Sequence, residues 1–436
     1  MAGMLKQDYT KTQKIVTMLA VDFAWISRKE QVYKSLWNHV LPIYQSLGTT
    51  LRPRDKEARL QELAKTRPEV DFFLRLEQRL FPWIQVRRKT SMSLHGSFHG
   101  RGFVLCGGDK QFQMMVSHMG ENDLSPERQE YIRQMTNDIE VLDITYHLDN
   151  GYLKLKGWTI KPFAILASKF EEAIFIDADT YFLRSPEVLF GDPGYLATGA
   201  PFFYDRTILP GWRKGPDWIR ANIPSMSNIP QTSRPFRGTT AHERESGVVV
   251  INKRRWLPAL FSVCKMNSFW ERDLSAYQTF YGDKETFYIE FELVEPYAFV
   301  RNYGGVIGEL NPDDDQSICG AQMHLDYLGR PLWWNSGLVG NQMNRELFIR
   351  NDEMKENLAY ELELDSADEL PPPEEPVDPV WDYMRGCMSG CEVEALPEDE
   401  AELANSYVVM DKISKRADSL IAQHKNVDPK GDWDTI

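Results

Sequence analysis

The sequence predicts an α/β fold: a mostly parallel central sheet flanked by helices, with a helical N-terminal extension in front of it. Three observations predict this. Short apolar runs at Phe103–Cys106, at Ala173–Ile176 and within Glu245–Trp256 are separated by stretches of helical character. That alternation of strand and helix is the mark of parallel strands covered by crossover helices. The first two of these runs end on a glycine pair and on aspartates, residues that close strands rather than extend them. Finally, 436 residues with 42% hydrophobic and 26% charged side chains are the length and composition of a globular protein with a sizeable core.

Taken in order, residues 4–90 read as mostly helical, broken near Gly48–Arg54 and again near Arg67–Glu69. "GRGFVLCGGDKQ" (Gly100–Gln111) holds the first buried strand and closes on a glycine pair. Residues 111–134 are helix-compatible, and "DIEVLDITY" (Asp138–Tyr146) reads as a second strand. "GWTIKPFAILASKF" (Gly157–Phe170) is a helix delivering the chain to "AIFIDAD", where four apolar residues run into two aspartates. "ESGVVVINKRRW" adds a strand and a helix start, and late strands follow in "AFVRNYGGVIG" and "SICGAQMHLDYLGRPLWWN". Consecutive prolines in "ELPPPEEPVDPVWDYM" mark a boundary, because they continue neither helix nor sheet. Beyond it "EVEALPEDEAELAN" reads as an acidic mobile stretch, and Tyr407–Lys425 as a closing amphipathic helix. The expected division is therefore 1–99, a helical extension; 100–345, the catalytic domain; and 346–436, an acidic C-terminal segment.

Charge excludes one class of partner. Residues 1–101 carry 18 Lys and Arg against 9 Asp and Glu, whereas residues 351–436 carry 7 against 23. A chain of net charge −14 lacks the basic face that nucleic acid requires, so no nucleic-acid partner is expected. No run approaches the ~18 apolar residues of a membrane span. Five cysteines at scattered positions do not indicate a disulfide framework, and Cys387 and Cys391 read as incidental thiols, or as a pair in an oxidising lumen. No asparagine sits in an Asn-x-Ser/Thr acceptor. The chain as written reads as cytoplasmic, or as Golgi-luminal if an N-terminal anchor has been removed.

The chemistry is concentrated at "IDAD". Along a strand alternate residues share a face, so Asp177 and Asp179 are expected to point the same way. Two converging carboxylates form a hard-oxygen site for Mn²⁺ or Mg²⁺, which then bridges to a pyrophosphate. In α/β sheets the carboxyl ends of strands are where ligands bind. Phosphatases of the haloacid-dehalogenase type share the pattern, with the first aspartate as nucleophile. They want Thr or Val two residues beyond the second aspartate, where this chain has Tyr181.

The blocks "GRGFVLCGGDKQ", "DIEVL", "KPFAILASKFEEAIFIDADTYFLRSPEVLF", "ESGVVVINKRRW", "GDKETFYIEFEL" and "QMHLDYLGRPLWWN", in this order over residues 100–345, resemble the fungal α-mannosyltransferases of cell-wall mannan. The resemblance implies a GT-A fold, GDP-mannose as donor, a divalent metal, and transfer to an acceptor hydroxyl with retention of configuration. It implies Asp177 and Asp179 as the metal and diphosphate pair, with His324 as a third metal ligand. Gly107 and Gly108 would admit the nucleotide to the backbone, and Lys161 would meet phosphate or sugar hydroxyls; a solvated helix-start lysine is the alternative. Glu245, Ser246 and Gly247 are placed on the acceptor side, with Trp333 and Trp334 stacking on a sugar or filling the core. Asp283 would stabilise positive charge on the sugar's anomeric carbon, with Glu285 as its competitor. The acceptor is a glycan or a small molecule. A UDP-hexose donor and a non-catalytic sugar-binding protein on the same scaffold are the alternative functions.

Overall fold

The computed structural model describes residues 2–48, 51–85, 90–106, 117–118, 123–135, 139–223, 233–294, 300–301, 305–311, 314–335, 347–350, 380–382, 387–389 and 392–407. Gly107, Gly108 and the closing helix beyond residue 407 lie outside them. The chain forms two compact units: residues 1–178 with 189–302, and residues 179–188 with 303–436. The expected boundaries at 100 and 345 are not those of the structure.

In the first unit, β4 (Glu172–Ile176) is the central strand of three. Its neighbours are β1 (Arg101–Leu105), which runs parallel to it, and β8 (Val248–Asn252), which runs antiparallel. Ala173 to Ile176 are all buried, as a strand covered on both faces requires. Gly102 on β1 leaves room for the Phe170 ring, which any Cβ at that position would strike. The helix Ile160–Ala167 covers this sheet, and its C-terminal carbonyls are closed by a buried lysine at the start of the helix Lys253–Met266. Lys253 Nζ donates to the Ile165 carbonyl at 2.9 Å and to the Ser168 carbonyl at 2.7 Å. Burial pulls the Lys253 ammonium well below the usual lysine range.

"DIEVLDITY" departs from expectation. Only β3 (Leu142–Asp143) is extended there, and it pairs with β2 (Ser117–His118) in a separate two-stranded sheet. The reason is local: Asp143 Oδ1 accepts from the Thr145 amide at 2.9 Å and from its hydroxyl at 2.6 Å. That side-chain turn competes with the ladder and starts a 3-10 turn over Ile144–Tyr146.

The N-terminal helices are built into this first core rather than appended to it. Ala2–Ser46, Pro53–Ala64, Pro68–Leu80 and Ser91–Ser97 surround an aromatic stack in which Tyr33 lies on Phe73 at 5.3 Å. Trp83 meets Phe163 edge-on at 5.3 Å and Phe261 at 5.7 Å. A buried carboxyl ties three of these helices together. Glu77 accepts from the Tyr33 hydroxyl at 2.8 Å and from the Ser91 amide at 3.1 Å. Burial outweighs those bonds and pushes Glu77 up to about 7. A carboxyl raised in the folded state stabilises the fold fully below its unfolded value near 4.5, and that contribution fades as pH rises through about 7. At 1.36 kcal/mol per unit, the wild type should lose about 3 kcal/mol from this group between pH 4.5 and 8. In Glu77→Gln, which keeps an acceptor oxygen, urea unfolding at pH 5 and pH 8 should show that portion of the pH dependence gone. An unchanged difference between the two pH values contradicts the assignment.

The second unit is built on an eight-stranded sheet whose pairings all run antiparallel. β10 (Gly305–Asn311) and β11 (Asp314–Leu325) form its long hairpin, and β12 (Pro331–Asn335) pairs with both β11 and β5 (Thr180–Phe182). Around them stand β13 (Leu347–Arg350), β14 (Val380–Asp382), β15 (Cys387–Ser389) and β16 (Glu392–Ala395). The mostly parallel sheet expected from the sequence is thus corrected. Among the described strands, the parallel pairs are β1 with β4, β2 with β3, and β6 (Phe202–Tyr204) with β9 (Val300–Arg301). The acidic stretch read as mobile is ordered: it supplies β16 and a helical turn over residues 398–407, where Glu400 pairs with Arg184.

The cysteines are a second correction. Cys319 on β11 is disulfide-bonded, while Cys106 and Cys264 are free. In the β11–β15 ladder Cys319 stands opposite Cys387. Among the described residues no helix is long and apolar enough to cross a membrane.

Candidate functional site

The register of the three-stranded sheet fixes where the site forms. Ile176, the last residue of β4, lies between Leu105 at the end of β1 and Val248 at the start of β8. The segments after β4 and before β8 therefore leave the sheet at the same end, the carboxyl end of its parallel pair. The Asp177 amide donates to the Gly247 carbonyl at 2.8 Å and pins them together.

At this end the structure assembles a charged cluster around a lysine. Lys161, in the first turn of the helix Ile160–Ala167, is buried and is no solvated helix-start residue. Its Nζ donates to Asp177 Oδ2 at 2.5 Å and to Ser246 Oγ at 3.2 Å, and lies 3.7 Å from Asp283 Oδ1. Burial alone would pull this ammonium down; Asp283 and then Asp177 outweigh it and raise it above the ordinary lysine value. The lysine is a permanent cation.

Asp283 sits just before the helix Lys284–Val294 with 3% of its surface exposed. Its Oδ2 is buried and has no hydrogen-bond partner among the described residues. Glu285, its competitor, goes elsewhere. It accepts from the Glu243 amide at 2.8 Å and the Arg244 amide at 3.3 Å, with His242 Nδ1 at 3.8 Å. Burial pushes Glu285 up to about 7. The side chain is spent on holding a loop, so Asp283 is the member of the pair that meets Lys161.

The acceptor-side residues take defined places. Glu245 Oε1 accepts from the amides of Ser246 at 2.9 Å and Gly247 at 2.7 Å, shaping the turn into β8. Its Oε2 lies 4.0 Å from Lys284 Nζ, which is bound at 2.5 Å to Asp205 Oδ2. Burial pushes Asp205 up, but Lys284 and Arg206 overcome it and hold the carboxyl at about 2. Lys284 and Asp205 escaped the sequence reading. Asp205 follows the apolar strand β6 as Asp177 follows β4, and Lys284 adjoins Asp283. Both signals were present.

The two aspartates of the motif are not related by strand alternation. β4 stops at Ile176, and residues 177–179 turn before β5 begins at Thr180. Asp177 is half-buried at the end of the first unit's sheet, and Asp179 is exposed at the start of the second unit. In the second unit His324 on β11 is fully buried, its ring stacked on Trp333 at 4.0 Å. Trp334 stacks on Tyr181 at 5.3 Å. Both tryptophans are fully buried, which is the core-filling side of the expectation. Among the described residues no group of three or more His, Cys, Asp or Glu side chains stands close enough to hold a metal ion. Magnesium-type sites commonly use one or two carboxylates and let water and substrate phosphate complete the shell, so the carboxylate of Asp177 is of the donor type that such an ion takes.

A mixed α/β fold with paired charges gathered at the carboxyl end of its sheet is consistent with a glycosyltransferase. Comparison with known proteins agrees. A family profile described as "Mannosyltransferase putative" matches residues 113–326. A Candida albicans protein named "Putative alpha-1,3-mannosyltransferase MNN12" is 31% identical over 246 residues, which is 50% of this chain and 29% of that protein. "Putative alpha-1,3-mannosyltransferase MNN14" of the same species is 27% identical over 337 residues, 60% of this chain and 49% of that protein. "Alpha-1,3-mannosyltransferase MNT2" of Saccharomyces cerevisiae is 25% identical over 254 residues, 49% of this chain and 44% of its own length. The chain thus spans half or less of these relatives. Over about half of its length the chain is thus similar to fungal α-mannosyltransferases.

Proposed function

We propose that this chain transfers mannose from GDP-mannose to an acceptor hydroxyl with retention of configuration, giving an α linkage, on a GT-A-type framework. The observation that carries the reading is the cluster of Lys161, Asp177, Ser246 and Asp283 at the carboxyl end of the first sheet. The relatives' names support the sugar. In a retaining transfer the anomeric carbon becomes positive as the diphosphate departs, and a buried anion facing it lowers that barrier. Asp283, kept beside the permanent cation Lys161, has an oxygen to offer that is without a partner among the described residues. Ser246 and the turn shaped by Glu245 supply hydroxyl and amide groups next to it, where an acceptor sugar would be oriented. Mn²⁺ or Mg²⁺ belongs to the same reading: Asp177 would hold it, and the ion would neutralise the departing diphosphate.

The test is a donor screen reading nucleoside diphosphate release with and without Mn²⁺, followed by NMR of the product linkage. GDP release from GDP-mannose, dependent on Mn²⁺ and lost in Asp177→Asn, is the expected result. UDP release from a UDP-hexose instead would transfer the reading to that donor. Binding of nucleotide sugar without turnover of any would make the chain a sugar-binding protein.

The Cys319 disulfide supports work in an oxidising lumen, since such bonds persist in oxidising compartments. A free thiol at Cys319 in protein isolated from its native source would remove that support.

A further inference from the structure

We propose that Lys161 is the resident counter-ion of the site: it holds Asp177 until a divalent cation arrives, then tightens onto Asp283 and orients it. This rests on the divalent-ion reading of Asp177. Lys161 is therefore a positioning residue that couples cation binding to the carboxylate facing the sugar.

The geometry points to it in three ways. First, a buried ammonium already occupies Asp177 Oδ2 at 2.5 Å, so a cation approaching that carboxylate meets a positive charge bound to it. Second, the lysine is shared unequally. Asp283 Oδ1 at 3.7 Å lies beyond hydrogen-bond reach, and a shift of about 1 Å would bring the ammonium into contact. Third, Asp283 is buried and its Oδ2 lacks a partner among the described residues, so this carboxylate gains most from a closer cation. With a divalent ion held at Asp177, the Lys161 ammonium would be repelled from that carboxylate and drawn toward Asp283. Ser246 Oγ, at 3.2 Å, lies between the two arrangements as an acceptor available in both. With Lys161 on Oδ1, Oδ2 remains for the developing positive charge of the sugar.

The experiment measures Mn²⁺ affinity of the full chain by titration calorimetry, with electron paramagnetic resonance of free Mn²⁺ as a second readout and no donor present. Lys161→Met removes the competing charge and should bind Mn²⁺ about tenfold more tightly than wild type, or better. Asp283→Asn removes the lysine's alternative partner and should weaken Mn²⁺ binding by about fivefold or more. In the double variant the Asp283 effect should vanish, because no lysine is left to relocate. Circular dichroism and thermal melting establish folding; if Lys161→Met does not fold, Asp283→Asn reads the same coupling with residue 161 intact. Equal or weaker binding by folded Lys161→Met, or no effect of Asp283→Asn, overturns the proposal while Mn²⁺-dependent transfer stands. Absence of Mn²⁺ uptake by wild type even with GDP present overturns the ion reading of Asp177 and this proposal with it.

Discussion

Asp283→Asn should fold as the wild type does and lose transfer by about 10²–10³-fold, mostly in kcat, the scale seen when one preorganised electrostatic group is removed from a water-excluded site. The substitution keeps size and shape and deletes only charge. In the wild type that charge lies 3.7 Å from Lys161 and presents a buried oxygen with no partner among the described residues. Donor KM should change far less, because the lost interaction is one that strengthens as the anomeric carbon becomes positive. Glu285→Gln serves as the internal comparison: its carboxylate is committed to the amides of Glu243 and Arg244, so its effect should appear in thermal stability before catalysis. Transfer by Asp283→Asn within about fivefold of wild type, with Glu285→Gln inactive but folded, would reverse the assignment of the two acids.

Trp83→Ala should cost about 3–5 kcal/mol in urea unfolding, the usual cost of deleting a fully buried large aromatic. Trp83 is completely buried and touches two helices of the first unit: Phe163 lies on the one carrying Lys161, and Phe261 on the one beginning at Lys253. Its indole N–H has no partner among the described residues, so Trp83→Phe keeps most of the packing and gives up no hydrogen bond. That variant should cost less than about 1.5 kcal/mol. The same contacts predict that deleting residues 1–90 yields unfolded protein rather than a trimmed enzyme. A soluble, cooperatively melting, active chain lacking residues 1–90 would show that the N-terminal helices are dispensable to the core.

Strand existence was legible because Phe103–Cys106, Ala173–Ile176 and Val248–Ile251 are apolar throughout, and the last two are buried on both faces. Strand direction was not. β8 pairs antiparallel to β4 because the long excursion after residue 177 returns through Gly247 at the strand's carboxyl end, a route no local pattern encodes. Asp138–Tyr146 misled for a related reason: its apolar alternation was real, but one Asp143 side chain diverted the backbone into a turn.

The site divides in the same way. Residue chemistry and chain order by themselves pointed to the likeness with fungal α-mannosyltransferases and singled out Asp177, Lys161, Ser246 and Asp283 as candidates, because charged groups beside buried runs stand out against the energetic cost of placing them there. Only the tertiary structure decided that one lysine joins them, that Glu285 is consumed by backbone amides, and that Lys284 and Asp205 flank Glu245. It also decided that Asp177 and Asp179 stand on a turn instead of alternating along one strand. The physical reason is range: propensity and burial are written in neighbouring residues, whereas the pairing of charges is settled by contacts between segments as far apart as 161 and 283.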